Sequence, residues 1–309
     1  MKTLFNRRDA LKLSVLGSVG LSFGTMGNLS TSYSKVQTRP IPSSGEELPV
    51  VGLGTWQTFD VGNSDAQRTL LTQVLQELHR FGGSVIDSSP MYGSSERVVG
   101  DLTKALKFQN GLFYATKVWT SGKSAGIRQM EASMAKMQRE QMDLIQIHNL
   151  VDWKTHVKTL KEWKDKQKIQ YWGITHYVDS SHKTLEQIIR SERPDFVQFN
   201  YSINSRNAEK SLLDTTKKYG TATIINQPYA GGSLFRRVKG KEVPTWAKEW
   251  DISSWGQFFL KFILSHPNVN CVIPGTSKPH HMVDNMRSGL GKMPDEATRD
   301  RMVTFFKSI

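Results

Sequence analysis

The chain has 309 residues, 41 Lys and Arg against 28 Asp and Glu, one cysteine, and 38% hydrophobic residues. That balance excludes a disordered, collagen-like or disulfide-stapled protein. The formal charge of +13 raises nucleic acid or an anionic surface as partners, so what matters is whether the charge forms a block or is scattered.

Residues 1–34 carry Lys2, Arg7, Arg8 and Lys12 with one acid, Asp9, ahead of a stretch from Leu13 to Met26 built from Leu, Val, Phe, Gly and Ser. This reads as the basic and apolar regions of an export signal. The stretch is too short and too rich in Ser and Gly for a membrane span, which needs about 20 mostly apolar residues. Arg7-Arg8 followed by Asp9-Ala10-Leu11-Lys12 resembles the twin-arginine export motif. The resemblance implies the twin-arginine machinery as a partner, carriage of an already folded protein, a periplasmic or otherwise exported destination, and no stable membrane span after cleavage. Subtracting the segment's four basic residues and one acid from +13 leaves +10. That remainder is scattered over Lys154–Lys168, Lys217-Lys218, Arg236–Lys241 and Lys278, with no basic helix interleaved with aromatics. Solvated helix faces account for it, and no nucleic-acid partner is expected. Cys271 lies in the apolar run Val269–Ile273 and reads as a buried small hydrophobe.

From Val50 the chain repeats a short apolar run, a loop and an amphipathic segment. Strand Val50–Gly54 precedes a helix over Asp65–Phe81 with Leu70, Leu71, Val74, Leu75, Leu78 and Phe81 on one stripe, stopped by Gly82-Gly83. Strand Ser84–Asp87 pairs with helix Ser95–Leu106, Leu112–Lys117 with Gly126–Gln138, Met142–His148 with Thr155–Lys166, and Ile169–Thr175 with Ser180–Arg190. Asp195–Asn200 is followed by Asn207–Tyr219, Thr221–Asn226 by a long connection and helix Ser253–Ser265, and Val269–Ile273 by Pro279–Met286; Pro294–Lys307 is an extra C-terminal helix.

Alternation of this kind implies parallel strands joined by right-handed helical crossovers. Eight such units predict a single α/β domain, a (β/α)8 TIM barrel over residues 35–309 with a long loop after the seventh strand. Gly52-Leu53-Gly54-Thr55-Trp56 does not complete the G-x-G-x-x-G pattern that an open dinucleotide-binding sheet requires. The connection Gln227–Ile252 is long enough to shape a substrate pocket.

In a barrel the C-terminal strand ends converge, so polar residues there are the ones to weigh. Asp87, Lys117 and His148 end the second, third and fourth strands, and Tyr92 lies five residues beyond Asp87 in the loop opened by Ser88-Ser89-Pro90. A carboxylate and an amine that need each other, on adjacent strands, point to function rather than to isolated caps. A phenol has a pKa near about 10, which a neighbouring ammonium lowers, so Lys117 held by Asp87 is expected to make Tyr92 a general acid. His148 as a neutral imidazole donor would orient a carbonyl oxygen. Such a site activates a carbonyl and needs a separately bound hydride donor.

These residues resemble the aldo-keto reductases. The segments that carry the resemblance are Gly52-Leu53-Gly54-Thr55-Trp56, Asp87-Ser88-Ser89-Pro90-Met91-Tyr92-Gly93, Ala115-Thr116-Lys117, Gln146-Ile147-His148, Gly173-Ile174-Thr175-His176-Tyr177 and Ile273-Pro274-Gly275-Thr276-Ser277. The resemblance implies that Asp87, Tyr92, Lys117 and His148 form the catalytic tetrad and that NADP(H) lies across the barrel mouth beside Gly54, Thr55 and Trp56. Thr175, His176 and Gln198 would hold the nicotinamide carboxamide. Gly275 through Asn285, including Thr276, Lys278, His281, Asp284 and Asn285, would hold the adenosine end.

Two positions depart from the family. Asn226, followed by Gln227, stands where an aromatic often stacks on the nicotinamide, with Tyr229 as a candidate substitute. His281 stands where an arginine usually grips the 2′-phosphate, with Lys278 nearby, which keeps NAD as an alternative to NADP. His280-His281 lack a third metal ligand, so no metal is expected. Trp119, Trp153, Trp246 and Trp250 fall in loops after strands and, with Tyr229, are read as walls of an apolar substrate pocket. The expected activity is reduction of a small-molecule aldehyde or ketone with Tyr92 as proton donor. The alternative is a non-catalytic or redox-sensing nicotinamide-nucleotide-binding subunit on the same barrel.

Overall fold

In the computed structural model, which describes residues 34–309, eight parallel strands pair in chain order. They are β3 (Leu53–Gly54), β4 (Val85–Asp87), β5 (Phe113–Val118), β6 (Met142–His148), β7 (Ile169–Thr175), β8 (Phe196–Asn200), β9 (Ala222–Asn226) and β10 (Cys271–Val272). Parallel bridges Val51–Val272 and Gly54–Gly275 bring the last strand round to the first, so the expected (β/α)8 barrel forms and no long sheet edge is left open. The helices between strands are α1 (Asp65–Arg80), α2 (Ser95–Ala105), α3 (Lys123–Lys136), α4 (Trp153–Asp165), α5 (His182–Glu192), α6 (Leu212–Tyr219), α7 (Ser233–Arg237), α8 (Trp255–Leu264) and α9 (Pro279–Arg287), with α10 (Glu296–Ser308) appended. The export leader read over residues 1–34 falls, but for its last residue, outside the described residues.

Alternation along the strands sorts the core into two. On β6, Leu144 packs inside the barrel while Ile145 and Ile147 face the helices. The same alternation turns Gln146 and His148 inward. Inside, Phe113, Tyr171 and Phe196 stack at centroid distances of 5.4–6.1 Å and form an apolar lower layer. Beneath it lies a hairpin the periodicity does not reveal: β1 (Thr38–Pro40) and β2 (Glu47–Pro49) pair antiparallel, and Ile41 and Leu48 join the barrel-interior cluster. Three-residue strands give too few positions for a period of two to show.

Other boundaries move for local reasons. Leu70 is 45% exposed and off the stripe of α1, which buries Leu71, Val74, Leu75 and Leu78. Gly82, at φ 77°, ends that chain segment in a left-handed turn in which the Gly83 amide donates to the Leu78 carbonyl. The helix expected over 207–219 breaks at Ser211 into a 3-10 turn (Asn207–Lys210) and α6. The long connection after β9 folds into α7 and a 3-10 turn (Thr245–Trp250) rather than an open loop.

Candidate active site

The polar layer sits above the aromatic one, at the strands' C-terminal ends. Asp87 is its centre: Oδ2 accepts from Lys117 Nζ at 2.5 Å, and Oδ1 accepts from Gln146 Nε2 at 3.0 Å and Gln198 Nε2 at 2.9 Å. Lys117 Nζ also donates to the Ser88 carbonyl at 2.7 Å. Lys117 is 0% and Asp87 2% exposed, so each charge has traded water for a specific partner. Sequence reading did not single out Gln146, although it lies two residues before His148 on one strand and therefore on the same face.

Tyr92 and His148 close the cluster. Lys117 Nζ lies 5.0 Å from the Tyr92 ring centroid, close enough for its charge to act on the phenol. The Tyr92 and His148 rings meet edge-on at 5.9 Å. Burial raises the Tyr92 pKa above its ordinary 10.0, and the opposing pull of Lys117 does not cancel it. The ammonium lowers this pKa as expected, but a net lowering does not result: desolvation of the phenol wins, and Tyr92 is a protonated donor through neutral pH. For Lys117, burial acts against the charge, but the Asp87 carboxylate and Tyr92 outweigh it and the pKa is raised. His148 is lowered to about 3 by burial, Lys117 and His176, so it is the neutral imidazole anticipated.

A cavity of about 590 Å³ opens above these groups, lined among others by Gly54, Thr55, Trp56, Thr175, Gln198, Asn226, Gln227, Tyr229 and Gly275. Gly231 and Gly232, at φ 62° and 83°, also line it, and a Cβ at either would meet nothing within 4 Å. Their backbone is therefore open to an approaching phosphate, which fits a pyrophosphate-bearing cofactor. Asn226 lies at the wall and donates through Nδ2 to the His176 carbonyl at 3.2 Å.

Several expected contacts are placed differently. His176 is not in the wall: its Nδ1 accepts from the Tyr177 amide at 2.9 Å and its ring stacks on Tyr177, which lines the cavity instead. Gln198 already gives Nε2 to Asp87 while its Oε1 accepts from Thr175 at 3.3 Å. On α9, Asp284 accepts from Ser254 Oγ at 2.6 Å and Gln257 Nε2 at 2.7 Å, and Asn285 Oδ1 accepts from the Tyr229 hydroxyl at 2.7 Å. Thr276 Oγ1 accepts from the Lys278 amide at 3.1 Å, and burial, His280 and Lys278 lower the His281 pKa. Trp119, 42% exposed, sits 6.5 Å from the His148 ring. Trp246 is a correction: it packs on Phe258 and Phe305 at 6.1 Å, under Arg301, because α10 offers it an aromatic face, and it is not in the cavity wall. Trp153 likewise begins α4 and packs against the helix-facing core outside that wall. Nor do the basic residues of the long loop all face a ligand: Arg237 lies over Phe306, and Lys241 donates to the Ile309 carbonyl.

Comparisons with known proteins agree with this geometry. The chain is 27% identical over 259 residues to the methylglyoxal reductase YeaE of Escherichia coli strain K12, covering 81% of this chain and 89% of that protein. It is 28% identical over 240 residues to the NADH-specific methylglyoxal reductase of the same organism, covering 68% and 72%. Among solved structures, an aldo/keto reductase from Klebsiella pneumoniae in complex with NADP and acetate shares the fold with a TM-score of 0.73 at 24% identity, over 88% of this chain and 96% of that one. The model of the aldo/keto reductase family matches residues 50–300. With the barrel and the buried Asp-Lys-Tyr-His cluster at its mouth inside that span, the chain belongs to the aldo/keto reductase family.

Proposed function

We propose that the protein reduces an aldehyde or ketone to the alcohol, with NADP(H) as the hydride source and Tyr92 as the proton donor. The observation that carries this reading is that Asp87, Tyr92 and His148 line one cavity beside the open backbone of Gly231 and Gly232, with Lys117 buried against Asp87 beneath them. When bound, the cofactor supplies hydride to the carbonyl carbon. His148, held neutral, donates from its ring to the carbonyl oxygen and orients it. Tyr92 passes its hydroxyl proton to that oxygen as negative charge develops there. Lys117 stabilises the phenolate left behind, and Asp87 keeps the lysine charged and in place until solvent returns a proton.

Thr175, Asn226 and Gln227 border the nicotinamide end, and Trp56 and Met91 supply apolar walls near the reacting oxygen, with Trp119 beside His148 just outside the cavity lining. Lys278 is the cation at the 2′-phosphate end, since His281 is held neutral, and NAD is the alternative carrier. Two relatives bear the name methylglyoxal reductase, so methylglyoxal heads the substrate panel. The test is fluorescence titration with NADPH and NADH followed by turnover across aldehydes. Binding and turnover that disappears in Tyr92→Phe supports the proposal. Binding with no turnover of any aldehyde supports the redox-sensing subunit instead.

Twin-arginine export is the companion proposal, resting on Arg7-Arg8. Arg7→Lys with Arg8→Lys should leave the protein inside the cell on fractionation, and unchanged export would sink the idea.

A further inference from the structure

We infer that Ser89 is a positioning residue that fixes the tautomer of His148, an inference that rests on the reductase reading above. Ser89 Oγ lies 3.1 Å from His148 Nδ1, and both residues are buried, Ser89 at 0% and His148 at 6% exposure. The direction of this hydrogen bond decides what the imidazole can do. Only a ring protonated at Nε2 can donate to a carbonyl oxygen in the cavity; a ring protonated at Nδ1 would point a lone pair at it.

Hydrogen-bond accounting selects the direction. Ser89 Oγ already accepts from the Met91 amide at 3.4 Å, and among the described residues His148 Nδ1 is the acceptor its hydroxyl hydrogen finds. If Nδ1 carried the proton, the Ser89 hydrogen would be buried without an acceptor, an arrangement native proteins avoid. The serine therefore donates, Nδ1 accepts, and the ring proton sits on Nε2. Among the described residues no protein group hydrogen-bonds Nε2, and His148 lines the cavity.

The placement of Ser89 adds a second reason. Its backbone carbonyl accepts from the Tyr92 amide at 3.0 Å, so one short turn both seats the proton donor and sets the orienting imidazole. Partners behind a functional histidine fix its ring orientation and basicity, and at metal sites their loss costs about 10–100-fold.

The experiment is nitrogen NMR on histidine-labelled protein, with His148 assigned by its loss in His148→Gln, alongside kinetics of Ser89→Ala and Ser89→Thr. In the wild type, His148 should show an acceptor-type Nδ1 and a protonated Nε2. Ser89→Ala should mix the tautomers and lower kcat about tenfold while the Kd for NADPH stays unchanged, and Ser89→Thr should restore both. A wild-type proton on Nδ1 overturns the inference, as does a Ser89→Ala protein with unaltered tautomer and kcat. If no aldehyde is turned over, the reductase reading fails on its own, and the spectrum still decides the tautomer.

Discussion

At the floor of the barrel mouth, Asp87, Lys117, Gln146 and Gln198 are 0–2% exposed and bond to one another, whereas at the rim Trp56, Tyr177 and Phe235 expose 51%, 48% and 41% of their surface. The floor is a set of charges and amides with fixed partners, placed by rigid strands. The rim is apolar surface on loops and on the short helix α7, with left-handed backbone at Gln57, Gln227 and Ala230. The contrast assigns chemistry to the floor and fit to the rim: partners that cannot move hold a proton inventory constant, while accessible rings adapt to what enters.

Variants can break that division or sharpen it. Tyr92→Phe removes the proton donor and should lower kcat by about 10²–10⁴-fold with cofactor Kd unchanged, which stopped-flow and fluorescence titration would report. Lys117→Met should cost both activity and stability, because Asp87 is left buried and unpaired; a loss of about 3–5 kcal/mol by denaturant unfolding is expected. At the rim, His281→Arg should tighten NADPH by about five- to tenfold and leave NADH alone, since it adds a bidentate phosphate partner. Trp119→Ala should raise KM a few-fold with kcat near the wild-type value, and a large fall in kcat would erase the floor–rim distinction. The pH profile gives the smallest effect. With His148 held near 3 and Tyr92 raised above 10.0, kcat/KM for reduction should stay flat through the ordinary histidine range and decline only as alkaline pH ionises Tyr92.

The floor was also the legible part. Asp87, Lys117 and His148 end apolar strand runs, and strand ends in a barrel have one destination, so their meeting followed from pattern alone. Gln146 was readable by the same alternation. The rim was not, because loop side chains obey local opportunities that periodicity does not encode. Trp246 found Phe258 and Phe305, His176 turned back onto the Tyr177 amide, and Asp284 took Ser254 and Gln257 as partners. The Tyr92 pKa missed in sign for a related reason: residue types announce which charges attract, but only packing sets how much water each group loses.

The β1–β2 hairpin has a practical corollary. It plugs the end of the barrel remote from the polar layer, and Val36, just ahead of it, bonds to the Phe81 carbonyl on that same side. A tag or surface linker put in place of everything ahead of residue 34 would therefore attach at the sealed end. Such a shortened protein is suited to immobilisation through residue 34 with the mouth turned outward to the medium.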